Sequence, residues 1–149
     1  VSPPAKDSGP WTLAPYINAT GRSPVLKFLK ELQQRDRPHF TQFSEVIKPQ
    51  LEKYGPFAET NGPYWKNLPD KLFEIKFQRY RIYCSVEHPR TIVLYEAVEK
   101  RWPKFRAADA DKCANRRDDF RSAEYDQEQR GYLYRNQQQK KRNDGTTGL

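Results

Sequence analysis

No methionine occurs among the 149 residues, and there are only two cysteines and two histidines. Cys84 and Cys113 are too few to make a disulfide framework, so the reading expects two reduced thiols packed as small hydrophobes. His39 and His88 stand apart from one another and from any Cys or Asp at metal-ligand spacing, so no metal and no cofactor are expected. His88 precedes Pro89 in a turn and reads as a surface residue. Seven glycines are scattered along the chain, with neither a phosphate-cradling Gly loop nor a serine-nucleophile elbow. No stretch is apolar for the length of a membrane helix, and no internal repeat stands out. A cytoplasmic protein without a membrane partner is the expectation.

Positive charge is what the chain has in excess. Lys and Arg number 27 against 19 Asp and Glu, a formal net charge of +8, with a pI near 9.5. Such an excess favours anionic partners such as nucleic acid, although a solubilising surface has the same composition. Mean hydropathy is −1.06, yet aromatic residues make up 13%, enough to carry a compact core.

The length fits one domain with tails. Residues 1–10 are rich in Pro, Ser and Gly and read as a disordered leader. Residues 11–124 read as the folded domain, and 125–149 as a polar basic tail, disordered or helical only against a partner. Trp11–Ile17 reads as a short strand, at an edge because of Pro15. Ser23-Pro24 is a helix start, with Ser as N-cap and Pro at the first position. Val25, Phe28, Leu29 and Leu32 then trace one helical face. A second helix is predicted from Asp36 to Tyr54, with Phe43, Ile47, Leu51 and Tyr54 as its stripe and a kink or break at Pro49. The two form a helical hairpin. Residues 55–71 read as irregular. Three strands follow, Leu72–Phe77, Tyr80–Val86 and Thr91–Val98, joined by links short enough for antiparallel neighbours. A last helix runs to about Glu124. The order is β-α-α-β-β-β-α. It specifies an α+β fold, an antiparallel sheet packed with an N-terminal helical hairpin and a C-terminal helix, the helices mostly on one face.

Strand alternation sorts the side chains of the central hairpin. With Gln78-Arg79 as the turn, Lys76 faces Arg81, Ile75 faces Ile82 and Glu74 faces Tyr83. One face is then apolar; the other gathers Glu74, Lys76, Arg81 and Tyr83. Two cations, a carboxylate and a phenol suit phosphate chemistry, and an ordinary solvated sheet face has the same look. A second basic cluster follows the third strand: Lys100, Arg101, Lys104 and Arg106, with Trp102 and Phe105 between them. Cations interleaved with aromatics can hold phosphates and stack on unpaired bases, or can simply be a loop anchored by its rings.

The order of elements, with GRSPVLKFLKEL at Gly21–Leu32, LEKYGP at Leu51–Pro56, KNLPDKLFEIKF at Lys66–Phe77, YRIYCSVE at Tyr80–Glu87, TIVLYEAVEKRWPK at Thr91–Lys104 and KCANRRDDF at Lys112–Phe120, resembles the RelE/ParE toxin superfamily, in particular its phage-derived HigB-like branch. The resemblance spans Trp11–Phe120. It implies a RelE-like fold and a type II toxin–antitoxin toxin, a metal-independent endoribonuclease (an mRNA interferase) that inhibits translation at the ribosome. It also implies a cognate antitoxin with a helix-turn-helix DNA-binding domain. Carried over by position, the strand cations are Lys76 and Arg81, and the basic pair after the last strand is Lys100-Arg101. Glu74 stands where some members have a second strand lysine. Phe105 stands near the place of a terminal catalytic Tyr or His and cannot transfer protons.

On this reading a 2′-hydroxyl attacks the adjacent phosphorus. Arg81 and Arg101 hold the phosphate, Lys76 or Glu74 is the base, and Lys100 or Tyr83 the acid. Tyr83, Trp102, Lys104 and Arg106 contact RNA. Two other classes fit the same residues: a non-catalytic ParE-like toxin that poisons a protein such as DNA gyrase, and a basic phage protein that only binds nucleic acid.

Overall fold

The computed structural model describes residues 9–101, 104–122 and 126–147, with side chains as far as residue 141. Strand β1 (Thr12–Pro15) is followed by helix α1 (Pro24–Arg35), a short α2 (Arg37–Thr41), a π-helical stretch at Gln42–Ile47 and α3 (Lys48–Tyr54). Then come β2 (Trp65–Asn67), β3 (Phe73–Phe77), β4 (Tyr80–Glu87), β5 (Thr91–Glu99), α4 (Ala107–Ser122) and α5 (Gln127–Thr147). Most of the leader read at residues 1–10 lies outside the described residues.

Local chemistry explains the first helix. Ser23 is extended, its hydroxyl accepts from the Leu26 N–H at 3.3 Å, and Pro24 sits in the first turn. Val25 and Leu32 are fully buried on the inner face. Beyond Asp36 the chain stays helical to Tyr54, so of the kink or break expected at Pro49 no break occurs, and the helix changes from π to α just before it. A proline ring inside an α-helix clashes with the carbonyl four residues earlier. Here that residue is Glu45, which lies within the π-helical stretch, where the wider turn shifts the bonding register. Helix α3 then ends at Gly55, whose φ of 82° is open to glycine and strained for other residues.

The five strands form one sheet in the order β1-β5-β4-β3-β2. It is mixed rather than antiparallel. β1 runs parallel to β5, with Leu13 beside Ile92 and Ala14 beside Val93, while all other neighbours are antiparallel. β1 does lie at an edge, as Pro15 requires. The other edge, β2, falls within the segment read as irregular and pairs Trp65 with Ile75. Two-residue periodicity cannot declare a three-residue strand between Pro63 and Pro69, nor can it declare strand direction.

Helices cover both faces of the sheet, not mostly one. On one side Val25, Leu32, Phe43, Ile47 and Leu51 meet Ile75, Phe77, Tyr80, Ile82, Cys84, Ile92 and Leu94. On the other, Tyr16, Leu72, Tyr83, Val93, Tyr95 and Cys113 form a second core, with Phe105 and Phe120 packed against it. A bulge between Tyr83 and Cys84 of β4 and their β5 partners Glu96 and Leu94 leaves Tyr95 unpaired, so Tyr95 and Glu96 both face α4. Both cysteines are buried free thiols.

Residues 127–147, within the segment read as a tail, are helical. Arg130 ties α5 to Asp119 and to the carbonyl of Ile17, and Gln137 donates to the carbonyl of Thr20. No helix among the described residues is long and apolar enough to cross a membrane.

Candidate nucleic-acid interface at the hairpin end of the sheet

The β3–β4 register follows the alternation: Lys76 opposite Arg81, Ile75 opposite Ile82, Glu74 opposite Tyr83. The Gln78-Arg79 turn puts Gln78 at a φ of 55°, a conformation disfavoured for residues other than Gly, Asn and Asp. Arg81 holds that turn. Its Nη1 donates to the carbonyls of Gln78 at 2.6 Å and Tyr80 at 2.8 Å.

The polar face of the hairpin is enclosed at Glu74 and Tyr83 and open to solvent at Lys76. Helix α4 lies over it, and Glu74 and Tyr83 are 2% and 1% exposed. Arg81 Nε lies 2.8 Å from Glu74 Oε2, though the N–H does not point at the oxygen. Tyr83 packs on Phe105 with ring centroids 4.7 Å apart, and burial pushes its hydroxyl well above the ordinary range. Tyr83 is therefore a core residue, its hydroxyl held protonated by burial. Glu74 is equally enclosed. Arg81 is engaged with Glu74 and two carbonyls, and these bonds brace the turn.

Helix α4 is fixed by its own cations. Arg117, buried, donates to the carbonyl and carboxylate of Asp70 at 2.7 and 2.8 Å. Lys112 and Arg116 meet Glu96, and Arg116 also donates to the carbonyl of Tyr95 at 2.5 Å. Arg121 forks onto both oxygens of Glu87 at 2.6 and 3.1 Å. Much of the C-terminal positive charge therefore joins helix to sheet. At the start of α4 itself, Arg106 stands 3.5 Å from the buried Asp109, an i,i+3 pair.

One set of cations stands where the β3–β4 turn meets the end of β5, and another, Arg22, Lys27, Lys30, Lys140 and Lys141, lines a groove between α1 and α5. Lys76 is exposed. The Lys100 N–H donates to the carbonyl of Arg79 at 2.6 Å, which brings the segment after β5 against the turn. Arg101 is 75% exposed, 3.9 Å from Glu99. Lys104 is exposed, and Trp102 lies outside the described residues. In the sequence Arg79 looks only like a turn residue. Its guanidinium bridges Glu99 at 3.0 Å and Asp36 at 3.3 Å, and so ties the hairpin to the start of α2. Arg35 adds a further cation 3.6 Å from Glu99. These partners are far apart in the chain, and no local spacing announces them. Among the described residues no three of His, Cys, Asp and Glu converge as metal ligands would.

No family model matches the chain, and no curated protein does. Among solved structures, the crystal structure of the toxin–antitoxin complex RelBE2 from Mycobacterium tuberculosis is similar at 16% identity. The likeness covers 61% of this chain and 99% of that one, with a TM-score of 0.39. A likeness at that level carries no argument about family or function.

Proposed function

We propose that this chain is a toxin of the RelE/HigB type, a metal-independent endoribonuclease that cuts messenger RNA at the ribosome and is restrained by a cognate antitoxin with a helix-turn-helix domain. The observation that carries the reading is the gathering of Lys76, Arg79, Lys100 and Arg101 from separate segments at one end of the sheet. The sequence resemblance from Trp11 to Phe120 supplies the class. Lys76 and Arg101 meet the phosphates, with Lys100 beside them, and Lys104 and Arg106 extend the contact along the strand of RNA. The cations offset charge building on the phosphoryl oxygens as the 2′-oxygen attacks. Arg81 and Glu74 act from behind, by holding the turn.

Inducible expression in a bacterial host with end-mapping of cellular RNA tests this reading. Growth arrest with message fragments ending in 2′,3′-cyclic phosphate and 5′-hydroxyl is the expected result. Absence of arrest would leave only a nucleic-acid-binding protein.

A second reading draws on α4. Because that helix covers Glu74 and Tyr83, the polar groups of the hairpin serve packing, as a non-catalytic ParE-like toxin directed at a protein such as DNA gyrase would allow. It predicts arrest with intact messages.

A further inference from the structure

A cluster of titratable groups outside the residues singled out from sequence lies where α1 meets α2. Three side chains converge on one oxygen of Asp36. His39 Nδ1 lies 2.6 Å from Oδ2, the Tyr80 hydroxyl donates to it at 2.5 Å and Arg79 Nη2 at 3.3 Å. The Tyr80 hydroxyl bond, then that of His39, holds the Asp36 carboxyl down at about 2. Asp36 is therefore ionised near neutral pH and can only accept, so His39 Nδ1 must carry the hydrogen. In the neutral ring the lone pair then resides on Nε2. Among the described residues Nε2 has no hydrogen-bond partner, on a side chain 27% exposed.

The ring is held from two sides. Its Nδ1 is fixed by Asp36, and its face meets Tyr80 edge-on with centroids 5.5 Å apart. Arg79 lies over the same Tyr80 ring at 5.2 Å and, through Glu99, adjoins Arg35 and Arg101. A histidine oriented by a carboxylate beside several guanidinium groups has the parts that RNA transesterification needs.

We infer that His39, oriented by Asp36, is the general base of this site, with an RNA phosphodiester as its substrate; the inference rests on the ribonuclease reading above. Nε2 takes the proton of the 2′-hydroxyl. The 2′-oxygen bonds to phosphorus, the bond from phosphorus to the 5′-oxygen breaks, and that oxygen takes a proton from solvent. The products are a 2′,3′-cyclic phosphate and a 5′-hydroxyl, and His39 returns its proton to water. Arg79 and Arg101 face the charge that accumulates on the non-bridging oxygens. Asp36 and Tyr80 are positioning residues.

The test measures single-turnover cleavage by wild type and His39→Gln on ribosomes programmed with a defined message, with binding measured alongside. Loss of about 10²–10⁴-fold in rate at nearly unchanged affinity is expected, with partial rescue of His39→Gly by added imidazole. Proton NMR of the wild type provides a readout that does not depend on a variant's folding, because the chain has only two histidines. An oligonucleotide with a 2′-deoxy sugar at the cut site should shift the ring signals of His39 and leave those of His88 in place. Wild-type cleavage with an equally fast, folded His39→Gln variant, or no shift of His39, overturns the inference and leaves the nuclease reading standing. A wild type that cuts nothing overturns both.

Discussion

Arg81 lies 2.8 Å from a carboxylate that is almost wholly enclosed. Removing one partner of a buried ion pair leaves the other charged and unsolvated, at a cost of about 3–5 kcal/mol. Arg81→Ala is therefore expected to lower unfolding free energy by roughly 3 kcal/mol in urea titrations. The paired change Glu74→Leu with Arg81→Leu should recover much of that loss. A fall in activity on changing Arg81 alone consequently speaks to folding as much as to chemistry, and the exposed Lys76 and Arg101 are the cleaner probes. Asp36 makes a prediction of opposite character. Its carboxyl drops from an ordinary 3.8 to about 2 in the fold, so the stability it supplies is complete above about 3.8 and is lost as pH falls through about 2. Asp119 moves in the same direction, held first by Arg130 and then by Tyr16. Asp36→Asn should flatten the acid limb of the stability profile, which chemical denaturation at a series of pH values measures. An acid limb identical to that of wild type would contradict the assignment.

The hairpin of β3 and β4 was legible because alternation and a two-residue link leave one consistent register, and the pairs Lys76–Arg81, Ile75–Ile82 and Glu74–Tyr83 follow from it. What covers its polar face was not legible. Helix α4 turns Asp109, Cys113 and Arg117 inward, so its buried stripe is polar and no apolar period marks it. The His39 cluster was hidden for a related reason: Asp36 and His39 have local spacing, but Arg79 and Tyr80 arrive from the sheet. At the start of α1, Ser23 announced itself, and Ser23→Ala should cost about 1 kcal/mol. In α3, Pro49 follows the π-helical stretch. Pro49→Ala should therefore change stability by less than the roughly 3 kcal/mol that relieving a proline in a regular helix returns. A gain of that full size would mean that the π stretch is not absorbing the proline.

Both cores draw their buried residues from Leu13 through Cys113, with Phe120 packed against the second. Helix α5 adds ties to Asp119 and the loop after β1 rather than core. A chain ended after Ser122 should keep cooperative unfolding, with a midpoint lowered by the loss of the Arg130–Asp119 pair, as calorimetry would report. At this scale the cations of α4 bind the sheet, those at the hairpin end face outward, and a further exposed set, Arg22, Lys27, Lys30, Lys140 and Lys141, lies between α1 and α5. On the proposed function the hairpin-end set serves RNA cleavage. Mapping of message ends in a translating extract, with wild type beside the double variant Lys76→Ala, Arg101→Ala at matched stability, tests it most directly. Discrete cuts from the wild type, reduced at least about tenfold in the variant, are predicted. Intact messages in the presence of a folded, growth-arresting wild type would contradict it.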